Sequence, residues 1–432
     1  MKKVAFQTFG CKLNFAETSQ ISRQFTDNGF EIKDFKEDAD VYVINTCTVT
    51  SIAEKKCKTA IRSAINRNPN AKVAVIGCFS QLKSEELLQI EGVDIILGNT
   101  EKHRLINYVT DEDPKHVKGC SWCDVKEIAK NDEFVPSFSS DDRTRSFLKI
   151  QDGCDYFCTY CAIPMARGRS RSDSIENIVK SAEQIAAKGL KEIILTGVNI
   201  GDFGKHSDHN FLDLIKELDK VEGIERYRIS SIEPDLLNND IIKFATTSQK
   251  FLPHFHIPLQ AGTNKILKLM KRKYVRELFA ERVLNIKALL PDCCIAADVI
   301  TGFPGESDED FMDAYHFIES LPLSYLHVFT YSERPDTIAI NLADKVPVHI
   351  RRERSKKLQE LSDKKKEEFY MQHIGLTKKV LFESDEKHNY IYGFTDNYIR
   401  VKTAYDPLLI NKVCDIKLLS LDKEGVFDVE FI

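Results

Sequence analysis

The chain reads as an α/β protein in three parts. These are an amino-terminal doubly wound parallel sheet, a central barrel of six β/α repeats (complete or partial), and a small carboxy-terminal all-β module. Three observations carry that reading. Short apolar runs alternate with helical patterns through the first hundred or so residues, and the alternation resumes from residue 146 for six further repeats. The last sixty or so residues hold only short strand patterns separated by turns. At 432 residues the chain exceeds one ordinary core, so two or three domains are expected.

In order, strands are predicted over 4–8, 41–45, 72–76 and 94–97, with helices over 17–28, 52–68 and 83–89 between them. Residues 1–110 form the first domain on this pattern. Residues 111–145 lose it, carry the acidic run Asp111-Glu112-Asp113, and read as a long linker. The central domain, 146–371, has strands predicted over 147–151, 192–196, 227–231, 254–258, 295–300 and 325–330. Helices over 175–188, 236–246, 276–290 and 309–321 separate them, and 349–373 is a strongly charged helix read as a solvated face laced with ion pairs. Residues 372–432 form the third domain, with strands over 378–383, 389–395, 398–402 and 414–421 and a closing strand at 427–431.

Hydrophobic residues make up 42% and charged residues 29%, ordinary for a water-soluble domain, and no apolar run approaches a membrane span. The first residues, Met1 to Gln7, read as a strand and not a signal peptide, so a cytoplasmic location is expected. A net charge of −5 neither advertises nor excludes a nucleic-acid partner, because a local basic face binds phosphate while the total stays acidic. The 12 cysteines are more telling, since in a reducing compartment clustered thiols bind metal or do redox chemistry.

Cys154, Cys158 and Cys161 stand in C-x3-C-x2-C spacing after a predicted strand, with Gly153 allowing close backbone approach. A [4Fe–4S] cluster normally takes four thiolates, so three leave one iron open to an exogenous ligand. A zinc knuckle, or a cluster completed by Cys120 or Cys123, would use the same thiols; the spacing on a β/α repeat favours the open cluster. Cys11, Cys47 and Cys78 are far apart in sequence, yet each follows a predicted strand directly. Loops at the carboxyl ends of parallel strands converge, so these three are read as the ligands of a second cluster. Cys57, Cys293, Cys294 and Cys414 are read as core or neutral, and Cys120 with Cys123 matches no assigned motif.

The triad, with Tyr160 before its last cysteine, resembles the signature of radical S-adenosylmethionine enzymes. The whole layout resembles the radical methylthiotransferases, whose three parts are a cluster domain, a radical partial barrel and a TRAM-like RNA-binding β-barrel. Within them, Gly10-Cys11-Lys12-Leu13-Asn14 is similar to the subgroup acting on N6-threonylcarbamoyladenosine in tRNA. The resemblance implies two [4Fe–4S] clusters and two S-adenosylmethionine molecules per turnover, one as methyl donor and one as radical source. It implies a methylthio group placed at C2 of the adenine beside the anticodon. An unactivated aromatic C–H offers no acidic proton to a side-chain base, so a cofactor must perform that step.

The same resemblance implies cofactor contacts at Tyr160, at Thr196, Gly197 and Asn199, at Ser231 and Glu233, at His256 and Gln260, and at Asp298 and Phe329. Ala261 departs from the serine usual in the His-x-Pro-x-Gln-Ser-Gly motif. Substrate contacts are expected at Asn14 and Asn45, at Arg167, Arg169 and Arg171, and at Lys378, Lys379, Arg400 and Lys402. The alternate arginines suit phosphate or carboxylate recognition, while basic residues among tyrosines on the third domain suit RNA. The expected partners are a tRNA anticodon stem-loop, an electron donor and a sulfur source, with no membrane. Competing readings are the same chemistry on a ribosomal-protein aspartate or on isopentenyladenosine tRNA, and a non-enzymatic iron–sulfur RNA-binding regulator.

Overall fold

A computed structural model of the chain describes residues 1–48, 50–110, 122–126, 133–140 and 143–432. The chain divides into two compact units: Met1–Asp142 with Phe147–Asp155 and Ala162–Asp173, and Arg143–Ser146 with Tyr156–Cys161 and Ser174–Ile432.

In the first unit, strands β1 (Lys3–Thr8), β2 (Glu31–Lys33), β3 (Val41–Thr46), β4 (Lys72–Gly77), β5 (Ile95–Leu97) and β6 (Trp122–Asp124) form one sheet of order β2-β1-β3-β4-β5-β6. Every pairing in it is parallel. Parallel strands buried on both faces read as continuous apolar runs, and Val41 to Thr46 is buried at every position. Tyr42, Ile44, Val73 and Val75 pack on one face with Cys57 and Ile61 of the helix Ser51–Arg67. Val4, Val43, Ala74 and Ile76 pack on the other with Ile21 and Phe25 of the helix Lys12–Asp27. Each of the Val, Ile and Phe side chains so withdrawn from water contributes roughly 1.5–3 kcal/mol. Cys57 is thus a core residue, as expected.

Two short strands of this sheet escape a period-based reading, each three residues long and without a continuous apolar run. One is β2; the other is β6, which lies inside the stretch expected to be linker and adds an edge to the sheet through Trp122 and Cys123. Cys120 lies outside the described residues.

Strand β7 (Arg145–Lys149) is divided along the chain between the two units. A short antiparallel ribbon in the first unit joins β8 (Gln151–Asp152) to β9 (Arg171–Ser172). The second unit continues with β10 (Glu192–Thr196), β11 (Arg226–Ile229), β12 (His254–His256), β13 (Cys294–Thr301) and β14 (Tyr325–Thr330). They form two three-stranded sheets, β11-β10-β7 and β12-β13-β14. Parallel bridges from Tyr227 to Phe251 and from Ser231 to His256 link β11 to the chain around β12, so six strands make an open, partial barrel. Four of its intervening helices start on side-chain caps: Ser174, Asn210, Asn238 and Ser307 each accept a hydrogen bond from the first turn.

The charged helix Val348–Met371 departs from expectation. Its outer face carries the pairs Lys356–Glu360 and Lys364–Glu368, but three cationic side chains are buried beneath it. Arg351 donates to Val346 O and Glu333, Arg354 donates to Glu306 and Asp308, and Lys365 donates to the carbonyls of Glu319 and Leu321. The helix is therefore a packed wall of the barrel.

The last strands, β15 (Thr377–Lys387), β16 (Tyr390–Thr395), β17 (Arg400–Ala404), β18 (Val413–Leu421) and β19 (Phe427–Phe431), close into a five-stranded barrel of order β15-β16-β17-β19-β18. Within the second unit it is fastened by Glu192. Arg226 and Arg228 each donate to that carboxylate at 2.7 Å and also to the carbonyls of Thr395 and of its neighbours Phe394 or Asp396. Tyr398 stacks on His254, ring centroids 4.3 Å apart. Among the described residues no helix is long and apolar enough to cross a membrane.

Candidate functional site

Cys11, Cys47 and Cys78 follow β1, β3 and β4, three strands adjacent in one sheet, so their loops leave the same edge side by side. Cys11 is exposed, whereas Cys47 and Cys78 are buried. Gly10 has φ 102°, and a Cβ there would lie 2.7 Å from Cβ and 2.9 Å from Sγ of Cys47; only glycine lets the Cys11 loop pass this close. Asn14 binds the loops together by donating to Phe9 O at 2.7 Å and Thr46 O at 3.0 Å. Asn45 donates to Asn14 O at 3.1 Å and to Thr18 Oγ1 at 2.9 Å. Asn14 and Asn45 were expected to touch substrate. Both are buried; the Asn14 amide holds the loop carbonyls of Phe9 and Thr46, while the Asn45 amide holds the start of the helix Lys12–Asp27.

Beneath this rim lies a buried ion cluster. Glu17 accepts from Lys102 at 2.6 Å, from Lys149 at 3.1 Å and from both terminal nitrogens of Arg167. Asp152 accepts from Arg167 at 2.9 Å and Arg171 at 3.1 Å, and pairs with Lys149 at 2.8 Å. Burial alone raises the Glu17 carboxyl, but Arg167, Lys102 and Lys149 outweigh it and hold it well below its ordinary value. Burial opposes the Arg167 charge, and Glu17, Cys78, Asp152 and Cys11 more than restore it. Asn99 links the cluster to the rim, accepting from Lys102 at 2.7 Å and donating to Cys78 Sγ at 3.6 Å. The expectation that Arg167 holds phosphate or substrate is therefore corrected, since its guanidinium is buried and fully committed. Arg171 is also drawn inward, onto Asp152 and the Arg167 carbonyl, while Arg169 stays near the surface 3.5 Å from Asp155.

The donor set at the rim is three soft thiols; desolvation pushes the Cys11 thiol up, and Arg167 below it pulls in the opposite direction without overcoming that. Cys57 lies near, with Sγ 3.8 Å from Cys47 O, but it is packed in the apolar core. Three thiolates, with no fourth placed beside them at the rim among the described residues, fit a [4Fe–4S] cluster with one iron left for an exogenous ligand.

The second set lies on the loop from Cys154 to Cys161. In the first unit, Cys154 N donates to Gly168 O at 3.0 Å, and a Cβ on Gly153 (φ 71°) would come within 2.0 Å of Arg169 O. In the second unit, Cys161 N donates to Cys158 O at 3.0 Å, and Thr159 is pinned by Met270 O and Ala339 N. Arg272 Nη1 donates to Cys158 Sγ at 3.0 Å, and its other terminal nitrogen pairs with Glu233. Burial pushes the Cys158 thiol up and Arg272 pulls it down. Arg272 has no motif to mark it in the sequence; the basic triplet Lys271-Arg272-Lys273 was its sole signal.

The expected cofactor residues of the second unit gather near the carboxyl ends of the barrel strands. Thr196 ends β10, with Gly197 and Asn199 in the turn after it. Ser231 bridges to His256, and His256 Nε2 lies 2.8 Å from Asp298 Oδ1. Gln260 (φ 62°) donates its N–H to Asp298 O at 2.8 Å, and Phe329 is exposed near the end of β14. Tyr160 packs edge-on to Phe303. Glu233 is the exception, because its carboxylate is taken by Arg272. Sequence reasoning passed over His327, although it offers a ring nitrogen within 4.8 Å of donor atoms of His256 and Asp298.

On the β-barrel, Lys378 pairs with Asp292 at 3.2 Å and Lys402 pairs with Asp422, so each lysine expected to meet RNA already faces a carboxylate. Lys379 and Arg400 are exposed, and Arg400 lies 4.7 Å over the ring of Tyr392.

Residues 3–98 match the model of uncharacterized protein family UPF0004, and residues 148–318 match that of the Radical SAM superfamily. Threonylcarbamoyladenosine tRNA methylthiotransferase MtaB of Bacillus subtilis (strain 168) is 42% identical over 427 residues, spanning 97% of this chain and 94% of the relative. The enzyme of the same name from Aquifex aeolicus (strain VF5) is 41% identical over 93% of this chain and 96% of its own. The tRNA-2-methylthio-N(6)-dimethylallyladenosine synthase of Clostridium perfringens (strain SM101 / Type A) is 32% identical over 97% and 95%. Among solved structures, the radical S-adenosylmethionine methyltransferase TsrM from Kitasatospora setae superposes with a TM-score of 0.53. It does so at 14% identity over 76% of this chain and 75% of that one, a likeness of fold alone. With two three-cysteine sets on a parallel-sheet unit and a partial barrel, and near-full-length identity above 40%, the chain belongs to the radical S-adenosylmethionine methylthiotransferase family.

Proposed function

We propose that this protein methylthiolates C2 of N6-threonylcarbamoyladenosine beside the anticodon of tRNA in the cytoplasm. The observation that carries the reading is the pair of three-thiol sets. One lies on a sheet edge above a cationic cluster, and the other on the loop that leads into a radical SAM barrel. Two relatives above 40% identity carry names that specify threonylcarbamoyladenosine, which supports that substrate over the dimethylallyl one.

When bound, two [4Fe–4S] clusters and two S-adenosylmethionine molecules supply the radical that removes hydrogen from C2, the sulfur that replaces it and the methyl group that sulfur carries. The chain's own residues prepare that chemistry. Cys11, Cys47 and Cys78 would hold the sulfur-donating cluster, and Cys154, Cys158 and Cys161 the radical-generating one. Arg272 supplies an N–H donor to the Cys158 sulfur and neutralises Glu233, and both effects tune a cluster's potential. Asn99 likewise offers an N–H to the Cys78 sulfur. Thr196, Gly197, Asn199, Ser231, His256, Gln260 and Asp298 would orient the cofactor, with Tyr160 and Phe329 excluding water around it. Lys379 and Arg400 would meet the tRNA backbone, and a reductant and a sulfur source must be supplied from outside.

The test is anaerobic reconstitution of the full chain with reductant, S-adenosylmethionine, sulfide and anticodon stem-loops, read by nucleoside mass spectrometry. Stem-loops carrying threonylcarbamoyladenosine should gain a methylthio group. Conversion of isopentenyladenosine instead would reassign the substrate, and absence of 5′-deoxyadenosine would reject the radical reading.

A further inference from the structure

In the second unit, the turn after the short helix Asn264–Leu269 is fastened to the second cysteine loop at three points. Thr159, between Cys158 and Cys161, donates its N–H to Met270 O at 3.1 Å and its hydroxyl to Leu269 O at 2.9 Å. Two residues further on, Arg272 reaches Cys158 Sγ at 3.0 Å with a side chain only 2% exposed. Tyr274 braces it, its ring centroid 5.0 Å from the guanidinium and its hydroxyl held by the carbonyls of Pro258 and Leu259. A surface turn is thereby joined through hydrogen bonds to a cluster-ligand sulfur.

The same turn is basic on its outside. Lys268, Lys271 and Lys273 are exposed, and among the described residues none of the three has a carboxylate partner. Lys271 N donates to Lys268 O at 3.0 Å, and the Lys273 ammonium lies 4.0 Å over the ring of Tyr156. Most carboxylates around Lys273 are engaged. Arg272 takes Glu233, the Tyr156 hydroxyl donates to Asp235 at 2.6 Å, and Lys205 pairs with Asp202 at 3.4 Å, which leaves the exposed Asp208. Phe157, between Tyr156 and Cys158 in the chain, has a left-handed backbone (φ 50°) and is 43% exposed. Cations beside an exposed aromatic ring suit the docking of an acidic protein.

We propose that Lys268, Lys271, Lys273 and Phe157 form the docking surface for the reductant, an acidic protein that carries a one-electron centre. The inference rests on the function proposed above, which draws its electron from outside the chain. One electron leaves the donor, oxidising it by one equivalent, and reduces by one the cluster that Cys158 would help to hold; no bond forms or breaks. Electron transfer weakens steeply with distance and passes better along bonds and hydrogen bonds than across gaps. The Arg272 and Thr159 links therefore make this turn an entry point for the electron. A brief encounter of this kind gains speed from charge more than it gains affinity from area. Phosphates also seek lysines, but RNA has no use for a connection to the ligand sulfur.

The probe is reduced flavodoxin, an acidic one-electron carrier, mixed anaerobically with the reconstituted full chain, and the readout is the rate of bleaching of the cluster absorbance. The triple reversal Lys268→Glu, Lys271→Glu, Lys273→Glu should slow bleaching about 10- to 100-fold at low salt and flatten its salt dependence. Reduction by the methyl viologen radical cation, a small reductant that needs no docking surface, should be no slower than in wild type. Affinity for tRNA should stay within about twofold. The milder Lys268→Gln, Lys271→Gln, Lys273→Gln chain should fall between wild type and reversal, and it replaces the reversal variant if that one takes up no iron. An unchanged flavodoxin rate would overturn the docking surface alone. Equal slowing with methyl viologen would do so too, because it marks damage at the cluster. A loss of tRNA affinity of about tenfold or more would hand the lysines to RNA instead. A wild-type chain that is reduced by methyl viologen yet releases no 5′-deoxyadenosine from S-adenosylmethionine would overturn the proposed function itself, whatever the flavodoxin rate.

Discussion

Glu17 and Arg167, 150 positions apart, meet in a buried two-pronged pair: Nη1 donates to Oε1 at 3.1 Å and Nη2 to Oε2 at 3.0 Å. The pair ties the first helix of the sheet domain to the segment that follows the cysteine loop, and both lie in the first unit. Removing one member strands the charges left behind, which typically costs about 3–5 kcal/mol. Glu17→Ala should therefore lower the thermal midpoint of the apo chain by on the order of 10 °C. A shift of a degree or two, by calorimetry, would show that the cluster relaxes to recover its partners.

The two thiol sets should be separable by counting iron. The reconstituted wild-type chain should hold about eight irons, and a Cys11→Ala, Cys47→Ala, Cys78→Ala triple variant about four. That variant should still release 5′-deoxyadenosine but form no methylthio product. Iron unchanged in the triple variant would remove these residues from the ligand set.

Acid should release the β-barrel from the partial barrel before it harms the rest of the second unit. Burial alone raises the Glu192 carboxyl, but Arg228, Arg226 and Arg145 outweigh it and hold it down at about 2. A depressed folded-state value gives stability that is present above the unfolded-state value, near 4.3, and lost as pH falls towards 2. The amount at stake is roughly 3 kcal/mol. Chemical denaturation between pH 5 and pH 3 should show this loss in wild type. Glu192→Gln should start less stable and change less over the same window; parallel curves would refute the linkage.

What was legible in the sequence follows from how far each signal reaches along the chain. The strand-end cysteines could be grouped because a parallel sheet gathers its loops at one edge, whatever their sequence separation. Arg167 was misread because alternate arginines look like one face of an extended loop. Gly168, with φ 75°, turns the chain between them and sends Arg167 inward. Arg272 and His327 carry no motif, and their partners Cys158 and Asp298 arrive from other strands and loops. The long charged helix hid its packed face because Arg351, Arg354 and Lys365 bury long stems while their charged ends find oxygens on other elements.

The grip on RNA should rest on fewer charges than the β-barrel's composition suggests. Lys378 and Lys402 already face Asp292 and Asp422, so a phosphate arriving there would displace an existing partner. Lys379 and Arg400 are exposed, and Arg400 lies over Tyr392, an arrangement that offers a phosphate contact beside an aromatic ring. Each phosphate contact releases condensed counterions and steepens the dependence of affinity on salt. Lys379→Ala with Arg400→Ala should reduce the log–log slope of tRNA binding against salt by about 1–2 and weaken binding similarly for all tRNAs. Lys402→Ala, which also frees a carboxylate, should leave the slope nearly unchanged. Equal slopes in wild type and the double variant, measured by filter binding from low to moderate salt, would move the RNA grip off this face.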